Sequence, residues 1–187
     1  MLHLPDELSD EQLLARAVRG DHEAFAILYD RRQGAIYRFS LQMTGSLDGA
    51  EDVTQQTFVT FARELSRFDP TRGTVAGFLY GIARMLILRR AERNQQAVSD
   101  QLIEVEAEEA GPLTGLIRSE AVETVRRAVL ALPSRYREAV VLCDLQELSY
   151  AEAAAIIGCP VGTVRSKLNR GRALLAGKLR AAKGCFA

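Results

Sequence analysis

Apolar residues recur at intervals of three and four along nearly the whole chain, and no stretch alternates with the period of two that a half-buried strand needs. Val53, Thr57, Phe61 and Leu65 are one such run, spaced four apart. A chain patterned this way buries its apolar side chains on helices. The pattern stops once, from Gln95 to Gly115, where the sequence turns polar and acidic and contains Gly111-Pro112. Such a stretch has too little apolar surface to build a core of its own. The sequence therefore predicts an all-α protein: two small helical domains, 8–95 and 118–183, joined by an acidic, flexible linker over 96–117. The 187 residues suffice for two small cores, and about twenty extended linker residues would reach roughly 65–70 Å.

Helix boundaries follow from capping and breaking residues. Glu11 to Gly20 is a short first helix closed by glycine, and Asp21 caps a second running to Thr44. Thr44-Gly45-Ser46 breaks it. Asp48, with Glu51 three residues on, has the pattern of a capping box and opens a third helix to about Arg67. Phe68 to Thr74 holds both Pro70 and Gly73 and is a loop. A fourth helix follows from Ala76 to Asn94. Beyond the linker come helices over about 117–131, 134–146, 149–157 and 160–182.

The third and fourth of these carry the clearest mechanism. Ser149-Tyr150-Ala151-Glu152 is a capping box, Gly158-Cys159 makes a turn, and Pro160 suits a first helical turn because its missing N–H is not needed there. Val164, Leu168 and Leu175 form the buried face of the last helix, leaving Arg165, Ser166, Asn169 and Arg170 pointing elsewhere. This is the pattern of a helix-turn-helix, whose second helix enters the major groove. There arginine reads guanine and asparagine reads adenine, each at roughly 1–3 kcal/mol of discrimination. Lys167 and Arg172 suit phosphates. An ordinary helical hairpin with a polar outer face has the same spacing, so charge must separate the two.

Lysines and arginines number 24, equal to the acids, yet they are unevenly placed. Residues 99–120 hold six acids against Arg118 alone. Residues 160–187 hold Arg165, Lys167, Arg170, Arg172, Lys178, Arg180 and Lys183 with no acid. A basic terminal helix on a neutral chain points to an anionic partner, nucleic acid first.

Other classes find little support. The most apolar stretch, Ala76 to Leu88, is too short and is interrupted by Arg84, so membrane insertion is not expected. The acidic start, MLHLPDELSDEQLL, is unlike a signal or transit peptide, which makes a cytoplasmic location the expectation. Cys143, Cys159 and Cys185 are too few for a disulfide framework, and Cys143 and Cys159 are expected to pack in the second domain. His3 and His22 lie far from the cysteines, so no metal site is expected. No phosphate loop or nucleophile–base pattern occurs, and neither an enzyme nor a cofactor is expected.

Two segments resemble a known family. From Leu132, LPSRYREAVVLCDLQELSYAEAAAIIGCPVGTVRSKLNRGRALL is similar to region 4 of the extracytoplasmic-function (ECF) sigma factors of bacterial RNA polymerase. GDHEAFAILYDRR, AEDVTQQTFVTFAREL and FLYGIARMLILRR resemble region 2, in the same order and spacing. The resemblance covers about 12–95 and 118–180. It implies that 8–95 is a region 2 helical bundle that binds the polymerase core and recognises and melts the −10 element. It also implies that 118–183 is a region 4 helix-turn-helix that recognises the −35 element. Glu51, Asp52, Gln55 and Gln56 match positions that grip the core's clamp helices, although a merely solvated helix face would look the same.

Phe68, Arg72, Gly73 and Thr74 match the loop that captures a flipped −10 base, and Ile82 and Met85 match positions lining its pocket. Arg84, Arg89, Arg90 and Arg93 are placed to track the strand backbone. Extruding a base costs a few kcal/mol, which such a pocket must offset. Two positions depart from the family: Phe78 stands where Trp is frequent, and Met85 where Asn is frequent. The second removes a hydrogen-bonding side chain beside the captured base. Arg165, Ser166, Lys167, Asn169, Arg170 and Arg172 are the expected −35 contacts, and Asn169 varies across the family. The acidic linker would thread the polymerase cleft as a mimic of nucleic acid. The implied partners are core polymerase, promoter DNA and an anti-sigma factor, in a stress-response setting. A stand-alone helix-turn-helix regulator is the alternative, but it leaves the first domain unexplained.

Overall fold

The computed structural model describes residues 8–100 and 120–184, and every regular element among them is helical. Four helices come first: α1 Asp10–Val18, α2 His22–Thr44, α3 Leu47–Glu64 and α4 Val75–Asp100. Ser9 opens α1 with a reciprocal capping box, its hydroxyl accepting from the Gln12 N–H at 3.2 Å while the Gln12 side chain accepts from Ser9 N–H at 2.9 Å. Asp21 caps α2 by accepting from Ala24 N–H at 3.1 Å, and this bond, with Arg16 at 2.7 Å, holds its carboxyl below the usual range. Gly45, at φ 76°, ends α2 in the left-handed conformation that glycine adopts most readily.

The start of α3 differs from the sequence expectation. Ser46, not Asp48, is the cap: extended at φ −114°, it accepts from Gly49 N–H at 3.2 Å. The break after Thr44 is so short that the first available hydroxyl takes the orphan donor, leaving Asp48 in the first turn. Val53, Thr57, Phe58 and Phe61 form the buried face of α3, and Leu65 is half-buried in a 3₁₀ turn, Leu65–Arg67. Thr74 caps α4 through Gly77 N–H at 3.0 Å. Leu79, Tyr80, Ala83 and Ile87 then pack against Leu13, Leu28 and Phe39 in the first core. Helix α4 runs to Asp100, past the residue at which the sequence places the start of the linker. The rest of that linker lies outside the described residues.

The second set is α5 Glu120–Leu130, α6 Ser134–Val140, α7 Tyr150–Ile157 and α8 Val161–Gly184, with a π turn Val141–Leu145 continuing α6. Val129, Leu132, Val140, Leu142, Ile157, Val164 and Leu168 are its buried centre. Gly171 lets α8 cross α6 closely, since a Cβ there would lie 2.6 Å from Val140 Cγ2.

The two sets are not merely tethered. Their apolar residues form one continuous buried cluster, with α4 against α7 and α5 beside α2. Arg137 of α6 donates to the carbonyls of Met43 at 2.9 Å and Leu132 at 3.1 Å, and also to that of Leu130. Burial lowers its pKa, and these carbonyls replace the water it gives up.

Candidate nucleic-acid interface

The helix-turn-helix is built as its residues dictate. Ser149 Oγ accepts from Glu152 N–H at 3.2 Å, and Glu152 Oε2 accepts from Ser149 N–H at 3.0 Å. The Ser149 hydroxyl also donates to Glu152 at 2.7 Å, the largest of the bonds that hold this carboxyl below the usual glutamate value. Gly158, left-handed at φ 74°, turns the chain, and Pro160 O accepts from Thr163 and Val164 N–H to start α8. Val164 and Leu168 are at most 1 % exposed, while Arg165, Ser166, Asn169 and Arg170 share the opposite, exposed face. Lys167 is half-buried beside them.

Neighbouring aromatics orient the arginines. The Arg165 guanidinium lies 5.9 Å from the centre of the Tyr150 ring, a cation–π distance. Arg170 hydrogen-bonds the Tyr136 phenol and lowers its pKa. Arg172 forms a two-pronged pair with Asp144, at 2.6 and 3.0 Å, which raises the pKa of the arginine. Ser166 donates to Thr163 O at 2.9 Å. The pattern of α8 alone does not reveal Tyr136, Asp144 or Tyr150, because all three stand on other elements.

A cleft of about 420 Å³ opens between the 68–74 loop and α4, with Glu152, Ala155 and Ile156 of α7 along one wall. Phe68, Arg72, Gly73, Thr74, Ile82 and Met85 all line it, so six residues expected at the −10 site come together. Arg84 and Arg89 do not reach it. Phe68 is half-buried and packs edge-on to Phe78, with centroids 5.8 Å apart, and Phe78 rests on Phe61 at 6.0 Å. An aromatic at 78 is thus a prop beneath the loop. Asp69 Oδ1 accepts from Thr71 N–H at 2.9 Å and its hydroxyl at 2.7 Å, fixing the loop and lowering the Asp69 pKa. Ile82 is 5 % exposed and Met85 36 %, so Met85 presents the softer, movable wall.

Glu51, Asp52, Gln55 and Gln56 are exposed on one side of α3. Asp52 pairs with Arg90 at 3.0 Å, and a polar hollow of about 450 Å³ extends from Asp52 and Gln56 to Arg93 and Asn94. Arg93 donates to the Arg89 carbonyl at 3.3 Å. Burial raises the pKa of the Cys143 thiol, and Cys159 is half-buried. Among the described residues no three His, Cys, Asp or Glu side chains gather as a metal site, and no helix is long and apolar enough to cross a membrane.

Comparison with known proteins bears on both halves. The Sigma-70 region 2 family model matches residues 28–97, and the Sigma-70 region 4 model matches 123–175. The ECF RNA polymerase sigma factor SigW of Bacillus subtilis is 30 % identical over 93 % of this chain and 98 % of its own length. The chain belongs to the ECF sigma-factor family.

The ECF RNA polymerase sigma factor SigE of Mycolicibacterium smegmatis is 36 % identical over 141 residues, and the match spans 54 % of that relative's length. The ECF RNA polymerase sigma-E factor of Escherichia coli K12 is 32 % identical over 95 % of this chain and 97 % of its own. Among solved structures, the sigma factor RpoE in complex with the anti-sigma factor NepR from Bartonella quintana superposes with a TM-score of 0.73 at 25 % identity. That match covers 81 % of this chain and 94 % of RpoE. CnrH in complex with the cytosolic domain of CnrY gives 0.67 at 26 % identity, over 92 % and 97 %. As an ECF sigma factor the chain binds core RNA polymerase and directs it to promoter DNA. A stand-alone regulator is not favoured, because the region 2 match accounts for most of α2, all of α3 and nearly all of α4.

Proposed function

We propose the following division of labour on this chain. The exposed side of α3, with Glu51, Asp52, Gln55 and Gln56, docks on the core polymerase. A base flipped from the melted −10 strand enters the cleft between the 68–74 loop and α4, and Arg84 and Arg89 meet that strand's phosphates. Helix α8 lies in the major groove of the −35 duplex, reading bases with Arg165, Asn169 and Arg170, while Ser166, Lys167 and Arg172 position it. The chain performs no chemistry and acts in the cytoplasm, with catalysis left to the polymerase. An anti-sigma factor controls it, a reading supported by two solved relatives whose partners are anti-sigma factors. The boundaries 8–95, 96–117 and 118–183 divide these tasks.

The observation that carries the reading is the cleft. Six residues from a loop and the following helix line a space of about 420 Å³ that α7 closes on one side, the buried Ile82 and the half-buried Phe68 among them. It offers what an unstacked base needs: an aromatic edge, apolar walls and a cation at the mouth. The test is a fluorescence titration of core polymerase with the full chain. The double variant Asp52→Ala, Gln56→Ala is expected to weaken core binding about tenfold while keeping the thermal melting profile of the parent. An unchanged titration would remove α3 from the core interface.

A further inference from the structure

Tyr136 joins two arginines that stand on different helices. Arg135, beside it on α6, lays its guanidinium 4.7 Å from the centre of the Tyr136 ring. Arg170, on α8, hydrogen-bonds the Tyr136 phenol, and both cations hold that phenol below the ordinary tyrosine value. The meeting is fixed by backbone rather than by the reach of long side chains. Next to Arg170, Gly171 brings α8 so close to α6 that a Cβ there would lie 3.3 Å from the Tyr136 carbonyl oxygen and 3.5 Å from Tyr136 Cβ.

Two cations gathered on one ring repel each other unless an anion joins them. Among the described residues neither Arg135 nor Arg170 forms an ion pair with a carboxylate. The acids nearest to Arg135 in sequence are engaged elsewhere: Glu138 pairs with Arg84, and Asp144 is held by both prongs of Arg172. Both arginines are exposed, and α8 carries no acid along its length. Arg137, on the other side of Tyr136, is spent on backbone carbonyls. Arg135 is thus the cation of this stretch that remains open to an anion from outside.

We propose that Arg135 is a further DNA contact, meeting a backbone phosphate of the −35 duplex beside the groove that α8 reads. Arg170 belongs to the face proposed for bases, and Arg135 lies across a single ring from it. A duplex carries a phosphate for every ~3.4 Å of axis on each strand, so a cation flanking a base-reading side chain meets backbone. Stacking on Tyr136 restrains the guanidinium in advance and lowers the freedom it loses on binding. Arg135 sets the register of α8 on the duplex and reads no sequence itself. The contact rests on the reading of α8 as the −35 helix proposed above.

Holoenzyme assembled from core polymerase and the full chain is titrated with a promoter duplex that it transcribes and with a scrambled duplex of the same length, over a range of salt concentrations. The parent is compared with Arg135→Ala, Arg135→Lys and Arg170→Ala. Arg135→Ala is expected to weaken both duplexes alike, about three- to fivefold, the range of an exposed ion pair. The slope of log affinity against log salt should become shallower by about 0.9, the loss of one phosphate contact. Arg135→Lys keeps a point charge and should restore the slope. Arg170→Ala should weaken the promoter duplex more than its scramble. If Arg135→Ala loses helix content, Arg135→Gln, which keeps a long polar stem, carries the slope test. An unchanged slope in the Arg135 variants beside a weakened Arg170→Ala would overturn the contact and leave Arg135 to an acidic protein surface. A loss confined to the promoter duplex would also overturn it, because a phosphate contact carries no sequence. If neither arginine alters either titration, α8 does not read DNA, and the functional reading falls together with the contact.

Discussion

Arg165 and Arg170 lie five residues apart on α8, and each is set by an aromatic on another element. Arg165 rests on a ring and Arg170 is held by a phenol, so both lose less freedom on binding, which pre-organises the face proposed to read bases. Arg165→Ala and Arg170→Ala should each weaken binding of a cognate −35 duplex by the holoenzyme roughly 10- to 100-fold, equivalent to about 1–3 kcal/mol. Core affinity should not change, and gel-shift titrations with and without competitor duplex measure the difference. Loss of core affinity in either variant would contradict their placement. These exposed positions are legible from the sequence because Val164 and Leu168 fix which side of α8 is buried. Their supports are not: Tyr136, Asp144 and Tyr150 come from segments whose separation in sequence hides the contact.

At the scale of elements, glycine and the capping boxes decide how closely helices meet. Gly171 sits inside α8, where alanine would favour the helix by about 1 kcal/mol. The 2.6 Å approach to Val140 reverses that sign. Gly171→Ala is expected to lower stability by about 1–3 kcal/mol in chemical denaturation, the usual cost of overpacking; an unchanged or raised midpoint would show that α6 yields freely.

Glu152 gives a pH dependence. Its folded pKa is depressed, chiefly by the Ser149 hydroxyl, so its contribution is fully present above the ordinary value near 4.5. It is lost as pH falls through the folded value. Melting of the parent should therefore decline on acidification below about pH 4.5, and Ser149→Ala should flatten the decline; parallel curves would deny Glu152 that role. Helix caps are readable where the pattern is unambiguous, as at Ser149. At α3 two candidates stand two residues apart, and only the backbone conformation of Ser46 selects between them.

For the whole molecule, the helical periodicity exposes both domains, and the acidic gap exposes their division. Their packing is not legible, because it depends on partners 54 residues apart at Arg84–Glu138, 66 at Tyr80–Gln146 and 94 at Arg137–Met43. No local pattern encodes such pairs. Glu138, an acid between Arg137 and Ala139, carries no signature that distinguishes it from a solvated helix residue. The sequence describes the parts of an initiation factor, and the structure adds that those parts pack against one another.

The most direct measurement is transcription from a pooled library of randomised promoters, using purified bacterial core polymerase with and without this chain, followed by sequencing of the transcripts. The account predicts start sites that appear only with the chain and share two upstream elements, about one and about three and a half DNA turns away. No chain-dependent starts, together with tight binding to duplex DNA in the absence of core, would contradict it.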